Sequence, residues 1–65
     1  MTEFKISLAA ARVNAKMTQQ QAADVAHVSK VTIINWEKGN TKIPFSSLKL
    51  LCEAYKAPID YIFLN

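Results

Sequence analysis

Two helix starts set close together constrain this chain more than any other feature. Thr18 followed three residues later by Gln21 is a capping-box pair. The Thr18 hydroxyl can accept from the Gln21 backbone N–H while the Gln21 side chain reaches back to the N–H of Thr18. A helix therefore begins near Gln19. Ser29 is a fresh N-cap, so that helix must end within His27-Val28, and a second one runs from Lys30 to Lys38. The stretch Met17 to Gly39 is thus two short helices joined by a tight turn. Ala22, Ala23, Val25 and Ala26 keep the first slim enough for a neighbour to cross it closely.

The second helix has two faces when its residues are placed at 100° steps. Ile33, Trp36 and Glu37 cluster on one side. Val31, Ile34, Asn35 and Lys38 fall at i, i+3, i+4 and i+7 on the other. A solvent stripe rarely holds Val and Ile, and a buried stripe rarely holds Lys and Asn. A face that enters the DNA major groove accommodates both. Apolar groups meet thymine methyls there, amides read adenine, and lysine reads guanine or pairs with phosphate. Burying Trp36 beside Ile33 sets the phase, since the reverse would leave more apolar area in water.

These residues carry a family resemblance. Met17-Thr18-Gln19, Ala23, Val28-Ser29-Lys30, Thr32-Ile33 and Trp36-Glu37-Lys38-Gly39 match without a gap the pattern of the Cro and phage-repressor helix-turn-helix proteins. The match continues through Pro44, Leu48, Leu51, Tyr55 and Ile59-Asp60-Tyr61-Ile62, over nearly the whole chain. It implies an all-α, compact five-helix lambda-repressor-like DNA-binding domain over residues 1–65, with helices 2 and 3 forming the helix-turn-helix. It further implies a transcriptional repressor of prokaryotic or phage origin, cytoplasmic and nucleoid-associated. The family's arginine–glutamate pair would here be Arg12 with Glu37.

The chain departs from the family pattern in two places. His27 stands where the family has a turn glycine, in left-handed backbone that histidine tolerates with some strain. Ala22 and Ala26 replace the usual leucines, which thins the local core and leaves space for Trp36 or the aromatic residues of the C-terminal half.

A chain of 65 residues has room for one domain, and one this short buries about 60% of its unfolded surface. One glycine and two prolines leave few turns, which favours helices. Eight basic against five acidic residues, a formal charge of +3, permit an anionic partner. Lys30, Lys38 and Lys42 lie in or just after the reading helix, with Glu37 the one acid among them. Cys52 is alone, so neither an intrachain disulfide nor a cysteine-rich metal site can form. No apolar run reaches membrane-spanning length and no charged leader precedes one. No cofactor, metal or small-molecule ligand is expected.

In the first helix, Thr2 is the expected cap, Glu3 complements the helix dipole, and Phe4, Leu8, Ala11 and Ala15 form an inward stripe through Asn14. Gly39 ends the reading helix as a C′ residue. Ser46 or Ser47 is expected to cap a fourth helix with a core stripe of Leu48, Leu51, Cys52 and Tyr55. Pro58 opens a last short helix, with Ile59, Ile62 and Phe63 inward and Tyr61 and Leu64 outward.

The roles follow. Thr18, Gln19, Lys38, Asn40 and Lys42 are expected to anchor the phosphate backbone. Lys30, Val31, Thr32 and Asn35 are expected to read bases, and Ser29, the cap of the reading helix, is expected to bind DNA beside them. A weak homodimer joined through Tyr61 and Leu64 fits a roughly palindromic double-stranded operator. A small protein-interaction module, antitoxin-like or adaptor, is the alternative on the same fold. An enzyme is disfavoured, because one turn histidine, one core cysteine and no spaced carboxylate pair form no catalytic constellation.

Overall fold

A computed structural model describes residues 5–64. The order is β1 (Ile6–Ser7), α1 (Leu8–Asn14), α2 (Gln19–Ala26), α3 (Lys30–Lys38), α4 (Phe45–Tyr55), a 3-10 turn (Ile59–Tyr61) and β2 (Ile62–Phe63). There are four α-helices among the described residues, not five, and the architecture is mostly rather than wholly helical. Ile59-Asp60-Tyr61 are poor helix formers, and after one turn the chain extends to pair with β1. The two strands run parallel, Ile6 opposite Ile62 and Ser7 opposite Phe63, which ties one end of the domain to the other.

That pairing also moves the first helix. Residues 6–7 are extended, so α1 begins at Leu8, capped by Ser7, whose Oγ accepts from the Ala10 N–H at 3.0 Å. The expected cap at Thr2, with Glu3 and Phe4, lies outside the described residues. Leu8 and Ala11 are buried and Ala15 is half-buried, at the helix end. In α4 the N-cap is Pro44, with no side-chain cap bond, in place of Ser46 or Ser47. Pro44 presets the φ angle of −63° at the helix entry, and both serines already lie inside the helix, where a side chain no longer caps.

α2 packs against α3 and α4, and α1 against α4 and both strands. Ala22 and Ala23 are completely covered, because methyl side chains let the helix axes approach. Ile33 and Leu51 are the largest fully buried side chains. Trp36 and Tyr55 join Ala22 and Ala26 in the same core cluster, together with Leu48, Cys52 and Ile62. Phe63, expected inward, is 50% exposed. Strand side chains alternate, and Ile62 takes the inward place.

All four α-helices end the same way. Lys16, His27, Gly39 and Lys56 adopt positive φ of 60°, 60°, 79° and 56°. The residue after each donates its N–H back to the helix: Met17 to Arg12, Val28 to Ala23, Asn40 to Asn35, Ala57 to Cys52. These are Schellman closures. Three of them rest on residues with a Cβ, in a backbone region that favours glycine.

Candidate nucleic-acid interface

Both expected caps of the α2–turn–α3 unit are formed. The Gln21 N–H donates to Thr18 Oγ1 at 3.0 Å and the Thr18 N–H to Gln21 Oε1 at 2.8 Å. Ser29 Oγ accepts from the Thr32 N–H at 3.2 Å and lies 3.0 Å from the Thr32 hydroxyl. Between them His27 supplies the left-handed turn, with ψ of 42°.

The phase of α3 follows from which residues the core takes. Ile33 and Trp36 are buried, whereas Val31 is 63% exposed. Lys30 and Lys38 are exposed with it, and Thr32, Ile34 and Asn35 are half-buried. The start and outer side of α3 therefore present Lys30, Val31, Thr32 and Asn35 together. Asn40 and Lys42 are exposed in the loop that follows, and Thr18 is exposed at the start of α2. The first backbone N–H groups of that helix have no partner within it.

An internal polar linkage holds this surface. Arg12 Nε donates to Glu37 Oε2 at 2.7 Å and Nη2 to Oε1 at 3.4 Å, with side-chain exposures of 14% and 7%. Arg12 Nη1 also donates to the Met17 carbonyl at 2.9 Å. One guanidinium thereby joins α1, the entry to α2 and the end of α3. Gln19 adds a link absent from the sequence reading: its Nε2 donates to Glu37 Oε1 at 3.1 Å. Its side-chain N–H is thus directed inward as well as lying at the helix start. Tyr55 stands nearby, its hydroxyl buried with no hydrogen-bond partner among the described residues. Burial, reinforced by the charge of Glu37, pushes its pKa up to about 12, although Arg12 opposes the rise.

A second unforeseen contact lies at the far end of α3, where Asn40 Nδ2 donates to Asn35 Oδ1 at 3.3 Å. The spacing of the two asparagines around Gly39 was its one available sign, since a Schellman closure brings such positions together. At the opposite end of the chain Tyr61 is 55% and Leu64 47% exposed. No group of three or more potential metal ligands occurs among the described residues, and none of their helices is long and apolar enough to cross a membrane. Cys52 is a free, buried thiol.

A helix-turn-helix family model matches residues 8–62. No curated protein and no solved structure matches the chain.

Proposed function

Since the chain belongs to the Cro/C1-type helix-turn-helix family, we propose that this DNA-binding domain is a sequence-specific transcriptional repressor that inserts α3 into the major groove. The carrying observation is the 63% exposure of Val31 on the side of α3 away from buried Ile33 and Trp36, beside Lys30 and Asn35. A β-branched apolar side chain held in water between a cation and an amide suits contact with a thymine methyl flanked by polar base edges. Thr18, Gln19, Lys38, Asn40 and Lys42 anchor the phosphates, and Lys30, Val31, Thr32 and Asn35 read bases. Ser29 holds the α3 start at the DNA surface.

Two copies act on a roughly palindromic operator, pairing through Tyr61 and Leu64. One reading helix gives limited specificity, and two-fold pairing doubles the contacts. The setting is the cytoplasm of a prokaryote, or of one carrying the phage that encodes the protein.

Selection of a preferred site from a randomised DNA pool, followed by a salt titration on that site, tests the proposal. Affinity should fall steeply with salt as counterions are released from the phosphates. Uracil in place of thymine should weaken binding at the pairs that Val31 touches. Failure to select a site, together with salt-insensitive capture of a protein partner, would replace this reading with that of an interaction module.

A further inference from the structure

Asn35 and Asn40 are joined twice. The Asn40 backbone N–H donates to the Asn35 carbonyl at 2.9 Å, and the Asn40 side-chain Nδ2 donates to Asn35 Oδ1 at 3.3 Å. The first bond belongs to the closure at Gly39, which fixes Asn40 over the end of α3 whatever its side chain does. The second bond therefore orders little beyond two amide torsions. Asn35 is half-buried on the outer side of α3, and Asn40 is exposed.

A free asparagine amide can present either its oxygen or its NH2 group to a base, and with both it pairs with adenine N6 and N7. An amide whose oxygen already accepts from a neighbour keeps both NH2 hydrogens but only one acceptor site, so donation becomes its stronger face. We infer that Asn40 is a positioning residue that turns the Asn35 amide donor-outward, so that Asn35 selects guanine, with its two acceptors N7 and O6, over adenine. The inference rests on the proposed insertion of α3 into DNA and assigns to that surface a preference, and a residue that sets it.

The test compares the parent with Asn40→Asp, Asn40→Ala and Asn35→Ala by site selection and competition on base-substituted duplexes. Asn35→Ala identifies the base pair, by losing preference there. At that pair the parent should favour guanine over adenine by about fivefold or more. Aspartate only accepts, so in Asn40→Asp the Asn35 amide turns its NH2 to residue 40 and its oxygen outward. The preference should then move to adenine or cytosine, whose exocyclic amines donate. Asn40→Ala frees the amide and should abolish the preference for guanine or turn it toward adenine, the bidentate adenine pair being again within reach. General weakening by the new negative charge affects every sequence alike and leaves these ratios intact. All three variants keep the backbone closure, and melting curves verify the fold. A parent that selects adenine at this pair, or an Asn40→Asp variant that retains guanine, would overturn the inference while leaving the DNA-reading proposal standing. Selection of no site would overturn both.

Discussion

Arg12 and Glu37 lie 25 positions apart in the chain and meet at 2.7 Å in a nearly dry setting. The two charges face each other, and Gln19 and the Met17 carbonyl add hydrogen bonds to the pair. Arg12→Ala should destabilise the fold by about 3–5 kcal/mol, since it takes the cation away from a carboxylate that is only 7% exposed. Arg12→Met combined with Glu37→Leu should cost clearly less than either single alanine change, because apolar side chains then replace both members of the nearly buried pair. Denaturant unfolding of the three variants against the parent checks the order, and an unchanged Arg12→Ala midpoint would refute it.

Tyr55 makes a different case, a buried hydroxyl without a hydrogen-bond partner among the described residues. Its folded pKa of about 12 lies above the ordinary value of 10.0. Between those values the unfolded chain loses the phenolic proton while the folded one keeps it, so stability falls as pH rises through the window and is fully present below it. Tyr55→Phe removes both the unsatisfied hydroxyl and the titration. It should be neutral or stabilising at pH 7, and its melting temperature should decline less than the parent's between pH 10 and 12. Parallel declines in the two proteins would exclude Tyr55 as the source.

His27 holds φ of 60° at the turn between α2 and α3. His27→Gly relieves Cβ strain of about 1–2 kcal/mol but adds freedom to the unfolded chain, worth about 0.5–1 kcal/mol. The net gain should be at most about 1.5 kcal/mol, a rise in Tm of up to about 12 °C. Gly39→Ala, at φ of 79°, should move the Tm the other way. Thermal melts followed by circular dichroism decide both signs.

Gln19→Ala and Asn35→Ala should weaken DNA binding in different ways. Gln19 stands at the α2 start and is tied to Glu37 at 3.1 Å, so its loss disturbs anchoring for every sequence alike. Asn35 lies on the outer side of α3, and its loss should relax preference at particular base pairs by about 1–3 kcal/mol. Footprints on a panel of substituted sites separate the two patterns. Uniform weakening by both would contradict the division.

Pairing through the C-terminal region should place two chains on one duplex, with half-sites about one helical turn apart, roughly 34 Å or 10 base pairs. Tyr61 is 55% exposed, so Tyr61→Asp should weaken binding of the second chain while leaving the melting temperature close to that of the parent. Sedimentation of protein with the selected site reports the stoichiometry. One chain bound to an asymmetric site would rule out the dimer.

Local signals were legible because their physics is local. The capping box at Thr18 and Gln21, the cap at Ser29, the closure at Gly39 and the burial phase of Ile33 and Trp36 each depend on residues within about one helical turn, whereas the left-handed turn at His27 came from the family resemblance. The Arg12–Glu37 pair was anticipated through the family resemblance and not from spacing. Elsewhere a local reading competed with a distant contact and the contact prevailed. Pairing of Ile6 with Ile62 goes with Ser7 as the cap of α1, and with a single 3-10 turn and a strand in place of the expected fifth helix. Phe63 lies outward on that strand. The bond from Gln19 to Glu37, the approach of Asn40 to Asn35 and the unpartnered hydroxyl of Tyr55 were likewise decided by tertiary packing. A side-chain hydrogen bond depends on where two backbones come to rest, and that position is set by burial of Ile33, Leu51 and the alanines of α2, which the sequence of either partner alone does not encode.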